Sequence, residues 1–235
     1  MIPAFDQITE SIPFGLFLTV GSYALAARFQ KRMGGTPLLH PVLVGSGAAA
    51  VCLWAFHIPV ERFRRGADMI NILLGPATVA LAIPLYRQVS RIRSSLVPVL
   101  GSVLAGSVVA SASAVAIARC LGATTVTSLS LAPKSVTTPI AMAVSEAIGG
   151  DPGLAALAVV ATGILGAVAG AGFFRLMKIK DSRAIGLGFG VASHGVGTSR
   201  AIQLGETEGA FSSLAMGLAG LLTAVFLPFC VRLFG

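Results

Sequence analysis

The sequence predicts an all-α, polytopic membrane protein whose helices are broken or re-entrant in places, and three observations carry that prediction. Of 235 residues, 55% are hydrophobic and 11% charged, whereas an ordinary soluble domain carries about 25% charged residues. Apolar runs long enough to cross a bilayer recur down the chain, with mean hydropathy +0.87. The basic residues that give a net charge of +8 sit in short links between those runs. The charge deficit argues against a soluble α/β core, and the alternation of an outer-membrane barrel is absent. Basic links between apolar runs set membrane orientation, so the charge does not point to nucleic acid.

The first span runs from about Ile12 to Arg28 and stops at Arg28, Lys31 and Arg32. The preceding residues carry Asp6 and Glu10 but no basic residue, so this stretch reads as a retained helix rather than a leader. A Gly34–Pro37 turn leads to a second span, about Leu38 to Phe56, with Pro41 in its first turn, where proline fits. A mixed-charge link, Glu61–Asp68, precedes a third apolar segment, about Met69 to Tyr86, interrupted at Gly75-Pro76. Arg87, Arg91 and Arg93 close it. The fourth span, about Leu96 to Ala118, carries small residues at Ser102, Gly106, Ala110 and Ala114, and another span, about Leu154 to Met177, contains Gly166-x-x-x-Gly170. Both stripes read as packing surfaces. Residues 184–209 are glycine-rich, and the last span runs from about Ala210 to Val231. Glu206 and Glu208 read as a solvated link, and one composition throughout predicts a single membrane domain over 1–235. Cys52, Cys120 and Cys230 show no ligand spacing and read as small apolar residues.

Links 28–32, 87–93 and 175–183 are the basic ones, and the positive-inside bias puts all three in the cytoplasm. The fourth span then ends outside near Arg119, and the span 154–177 must start outside. Residues 120–150 therefore begin and end on one face, as a re-entrant hairpin around the Pro133-Lys134 break. For 184–209 a crossing and a second hairpin both remain open.

Three stretches carry chemistry. Charge and broken backbone at membrane depth are costly and mark function. Taken as a helix, 134–148 gathers Lys134, Ser135, Thr138, Met142, Ser145 and Glu146 within about 120° of arc. The helix starting after Pro133 would point free amides and its positive end into the membrane, where Lys134 and Thr137 add donors for an anion. Leu74–Val79 echoes Leu131–Val136, as in carriers built from inverted repeats with paired broken helices, which would bring Asn71 and Thr78 to the site. Ser193–Arg200 offers His194 as a proton-sensitive group, with Glu146 as the other candidate, and Gly195, Gly197, Thr198 and Arg200 as ligands for a carboxylate. No nucleophile–base set, phosphate loop or metal cluster appears, so neither an enzyme nor a metal or cofactor site is expected.

Three of these stretches, 73–86 (Leu-Leu-Gly-Pro-Ala-Thr-Val-Ala-Leu-Ala-Ile-Pro-Leu-Tyr), 133–141 (Pro-Lys-Ser-Val-Thr-Thr-Pro-Ile-Ala) and 193–201 (Ser-His-Gly-Val-Gly-Thr-Ser-Arg-Ala), resemble the hallmark motifs of the LrgB/CidB family. The likeness extends over the whole chain, although His40-Pro41 stands where the family usually has Asn-Pro. It implies one of two functions. One is an antiholin- or holin-like modulator of murein hydrolase export and autolysis, acting with a small LrgA/CidA-like membrane partner. The other is carboxylate transport, since the plastid glycolate/glycerate translocator is similar to an LrgA-like part fused to an LrgB-like part, and bacterial relatives are tied to pyruvate. The convergent polar groups favour an elevator-like secondary carrier of small 2-hydroxy or 2-oxo monocarboxylates, moving with a proton. A bacterial inner-membrane location and a homodimer are the accompanying expectations.

Overall fold

The computed structural model describes residues 3–34, 39, 41–72, 76, 79, 82–87 and 89–234, and the described residues are helical with short turns and no strand. Four described helices are long and apolar enough to cross a membrane: Ile12–Arg32, Leu96–Cys120, Pro152–Leu176 and Glu206–Leu233. The chain divides into two compact units, 1–80 and 81–235.

In the first unit, α1 (Pro3–Thr9), α2 (Ile12–Arg32), α3 (Pro41–Ala55) and α4 (Val60–Asn71) follow one another. Helix α2 continues to Arg32, four residues past the expected end, because basic side chains suit a helix C-terminus. The 61–68 stretch expected as a link is helical: Glu61, Arg62, Arg64, Arg65 and Asp68 lie along the amphipathic α4. Arg62 ties α4 to the N-terminus, at 2.6 Å from Asp6 and 3.3 Å from Glu10. Gly15 of α2 and Gly66 of α4 touch backbone to backbone, and a Cβ on Gly15 would lie 2.7 Å from the Gly66 Cα. The Gly34–Pro37 turn beyond Gly34, His40, Gly75 and Thr78 lie outside the described residues.

The second unit holds the larger part of the chain: α5 (Ala82–Arg87), α6 (Val89–Arg93), α7 (Leu96–Cys120), α8 (Thr125–Leu131), α9 (Thr138–Ala147), α10 (Pro152–Leu176), α11 (Ser182–Leu204) and α12 (Glu206–Phe234). Three of these are long rods, α7, α10 and α12. Between them the chain folds back twice without crossing.

The first fold-back is α8–α9. Its base is held where α10 begins: the Asp151 N–H donates to Ser130 Oγ at 2.7 Å, and Ser145 Oγ donates to the Asp151 carbonyl at 3.2 Å. Gly150 fits because a Cβ there would lie 2.5 Å from Ser145 Oγ. The base and flanks pack Ala132, Val144 and Ile148 against Val115 of α7 and Leu227 and Val231 of α12. The expectation that 120–150 enters and leaves on one face therefore holds. The helix after the break starts later than expected, at Thr138 and not at residue 134. Thr137 is its N-cap and Pro139 occupies the first turn, so Lys134 and Ser135 belong to the tip turn rather than to a helical stripe.

The second fold-back is α11, and it decides what the sequence left open for 184–209. Its backbone leaves the helical region at Ser193 (φ −137°, ψ 18°) and His194 (φ 41°, ψ −135°). The two arms then lie side by side. A Cβ on Gly197, in the returning arm, would approach Ser193 Cβ at 2.5 Å and the Phe189 carbonyl at 2.8 Å. Both arms pack on the start of α12: Gly186 against Glu208 and Phe211, and Ile202 against Gly209. Residues 182–204 are thus a second re-entrant hairpin. Glu206 and Glu208, expected in a link, form the first turn of α12, where acidic groups complement the helix dipole, and Glu206 lies 3.9 Å from Arg87.

Asp181 caps this hairpin, accepting from the N–H groups of Arg183 (2.7 Å) and Ala184 (3.3 Å), while the Arg183 guanidinium grips the carboxylate and reaches Ser95 Oγ at the start of α7. The Arg183 side chain, then its N–H, holds the Asp181 carboxyl down from 3.8 to about 2. A depressed carboxyl contributes stability above its unfolded pKa and loses it as pH falls through the folded one. The capping contribution is therefore full above about pH 3.8 and gone below about 2. It is modest, because both side chains are half exposed and solvent screens the pair. Asp181→Ala should cost about 1 kcal/mol, read as a lower melting temperature in detergent at pH 7 that converges with the unsubstituted protein in acid.

The two fold-backs enter from opposite ends of the rods. The first has its base at the end of α7 (Val115) and the end of α12, the second at the start of α7 (Ser95) and the start of α12. Helices α7 and α10 are both 25 residues long, and each is followed by a 23-residue hairpin, 125–147 and 182–204. Rod plus hairpin is therefore an inverted repeat, the second copy upside down. Arg87, Arg93, Arg175, Lys178, Lys180 and Arg183 flank the rod ends on the face of the second hairpin's base, as the positive-inside bias expects.

Candidate functional site

The tips of the two hairpins meet at the middle of all three rods. On the first tip Pro133, Ser135 and Val136 face Ser107 and Ser111 of α7, Ala219 and Thr223 of α12, and Val191 just before the second tip. Val136 and Ala141 pack on Val159 of α10, and the same Val159 carbonyl accepts a 2.9 Å hydrogen bond from His194 Nε2. Both tips therefore share one turn of α10.

The second tip is locked in place by glycines of α10. A Cβ on Gly163 would sit 2.7 Å from the His194 ring and one on Gly166 would coincide with the Ser193 side chain, while Gly170 receives Phe189. The expected packing stripe is real, and its cargo is the hairpin. His194 is buried with positive φ, a conformation seldom adopted by residues with a side chain and found where the surroundings enforce it. Thr198 Oγ1 donates to the His194 carbonyl at 2.8 Å and bonds Ser212 Oγ of α12 at 2.9 Å, fixing the start of the returning arm.

On the first tip Lys134 is half-buried, with Nζ 3.4 Å from Ser135 Oγ. Helix α9 begins here, so the N–H groups of Thr138 and Ile140 have no intrahelical acceptor and the helix's positive end lies at the tip. A cation, hydroxyls and free amides at one spot suit a small anion. Ser107, whose hydroxyl oxygen is buried without a hydrogen-bond partner, lines the gap beside Pro133, Ser135 and Val136.

The expected residues divide accordingly. Lys134, Ser135, Thr137, Thr138, His194, Gly195, Gly197 and Thr198 belong to the two tips. Arg200 does not: it lies about 9 Å along the returning arm from His194, and its Nη1 bonds Gln203. Glu146 is also removed, exposed about 12 Å along α9 from Thr138. Glu146 is expected at the tip only if 134–148 is one helix, and Arg200 only from its nearness to His194 in the sequence. Thr78 lies outside the described residues, as do the Asn71 side chain and residues 74, 75 and 77 of the echo. The repeat that is present joins the two tips. Lys-Ser-Val-Thr-Thr-Pro-Ile-Ala at 134–141 matches His-Gly-Val-Gly-Thr-Ser-Arg-Ala at 194–201 in valine, threonine and alanine, with Lys134 opposite His194. That correspondence is a mark of the second tip in the sequence itself. A larger cleft, about 830 Å³, lies in the first unit between α2, α3 and α4, but no Lys, Arg, Asp or Glu lines it. The polar convergence is at the tips instead.

The profile of the LrgB-like family matches residues 19–233. The chain belongs to this family. It is similar to Bacillus subtilis (strain 168) YxaC, 37% identical over 93% of the chain and 95% of that protein. It is also similar to the antiholin-like proteins LrgB of Bacillus mycoides (strain KBAB4) and Bacillus cereus (strain B4264), each 31% identical over 94% of the chain and 96% of the relative. No solved structure matches. This LrgB-like chain is a multi-pass helical membrane protein with a paired-hairpin centre.

Proposed function

We propose that this LrgB-like protein is a secondary carrier of small 2-hydroxy or 2-oxo monocarboxylates, of the glycolate, glycerate, lactate and pyruvate class. The observation that carries the reading is the meeting of two opposed hairpin tips at mid-rod, one presenting Lys134 and a helix N-terminus. Discontinuous helices converging at the bilayer midplane are how carriers bind ions without lipid-exposed polar backbone. Lys134, Ser135, Thr137 and Thr138 hold the carboxylate, and the Gly195–Thr198 backbone closes the opposite side. His194 is the proton-sensitive group, its Nε2–H committed to the Val159 carbonyl and its Nδ1 left to exchange a proton. Alternating access follows from the inverted repeat, one arrangement opening to each face. The setting is a bacterial inner membrane, and a homodimer and an LrgA/CidA-like partner complete the proposal.

A second reading rests on the printed names of two relatives, antiholin-like protein LrgB, and makes this chain a regulator of murein hydrolase export. The two readings separate in proteoliposomes. Labelled glycolate, glycerate, lactate and pyruvate should enter saturably and compete with one another, while neutral sugars and amino acids stay out. Unsaturable passage of unrelated solutes would remove the carrier and leave the pore-related reading.

A further inference from the structure

The space around the tips is not the same toward the two faces. On the side of the second hairpin, Val99, Val103, Val191, Phe211, Ala215 and Ala219 form a buried apolar plug. Between the tips themselves the gap is too small to admit a water molecule. On the other side a groove of about 700 Å³ runs between α7, α8 and α12, from Arg119 and Cys120 at the end of α7 down to Ser107, Ser111 and Thr223. Its deep end adjoins the tip gap, since Ser107, Ser111, Ala132 and Thr223 line both. The groove walls are mostly apolar, yet its deep end is lined by three hydroxyl-bearing residues, Ser107, Ser111 and Thr223. A small carboxylate with a 2-hydroxy or 2-oxo group can bond hydroxyls of this kind, and Arg119 places a matching positive charge at the mouth.

We propose that this groove is the route by which the monocarboxylate reaches the tips from the Arg119 face, and that Ser107, Ser111 and Thr223 form the wall of its site opposite the first hairpin. The proposal rests on the carrier reading for its ligand. It makes the conformation described here one in which the groove opens to the Arg119 face while the tip gap at its deep end is closed, with the Val99–Phe211 plug sealing the other side.

The test uses the full chain in liposomes, with Cys52, Cys120 and Cys230 changed to serine and either Ser111→Cys or Thr223→Cys introduced. Two thiol reagents are compared, the anionic, membrane-impermeant sulfonatoethyl methanethiosulfonate and a lipid-soluble maleimide. Both cysteines should react with the anionic reagent, and glycolate or pyruvate at ten times its dissociation constant should slow the reaction roughly tenfold. Val109→Cys, exposed on α7 away from the groove, should react with the maleimide alone. If Ser111→Cys and Thr223→Cys behave like Val109→Cys, the groove holds lipid and the proposal is overturned. Reaction with the anionic reagent that no carboxylate slows overturns it too. Labelling is read without any flux measurement, so absent uptake with carboxylate protection would remove the carrier reading while leaving the binding wall in place.

Discussion

Replacing Lys134 with alanine is expected to abolish measurable carboxylate uptake while the protein still folds. The side chain is half-buried in a turn, so its loss opens no large cavity, and its Nζ lies 3.4 Å from the Ser135 hydroxyl. Removing one partner of a buried, hydrogen-bonded charge pair costs about 2–5 kcal/mol, which lowers uptake at sub-saturating substrate by about 30-fold or more. Lys134→Arg keeps the charge but needs more room and should recover only part of the activity. The measurement is initial uptake of labelled glycolate and pyruvate into proteoliposomes, beside a melting curve of the purified variant. Unchanged uptake in Lys134→Ala would exclude the first tip as the anion site.

The second large effect concerns α10. Gly166→Leu would place side-chain atoms where Ser193 now lies, and neither partner can yield, because Ser193 and His194 are fixed by the break in α11. Overpacking of this kind costs about 1–3 kcal/mol, and here it strikes the tip itself. The variant should melt at a lower temperature in detergent and lose uptake. Gly172→Leu is the matched control. It lies on the same helix with open space where a Cβ would go, and it should leave both properties nearly intact. Equal behaviour of the two variants would mean that α10 does not hold the second hairpin.

Much of this architecture was legible in the sequence. The long spans follow from apolar length, and the first hairpin follows from counting basic links, because a segment between two outward-facing ends cannot cross once. Its tip was found through Pro133 and Lys134, but the helix start was misplaced. Thr137, Thr138 and Pro139 spell an N-cap and first turn more clearly than Pro133 does. The second hairpin is left open by the sequence for a physical reason: its reversal occurs at Ser193-His194, without proline, and is accommodated by Gly163 and Gly166 of another helix. Tertiary contacts of that kind leave no local mark. The same reversal removed Arg200 from the tip, since a residue past a fold-back moves away from it.

The double fold-back also governs how this protein must be oriented by experiment. Residues 121–151 and 182–205 each return to the face they left, so the second unit crosses the bilayer three times and not five. An epitope inserted near Gly149 and one fused after Phe234 should therefore be exposed in the same compartment, and one inserted near Lys178 in the opposite one. A reporter map interpreted with each fold-back as a crossing would assign the Gly149 loop and the Lys178 loop to the wrong sides relative to α7.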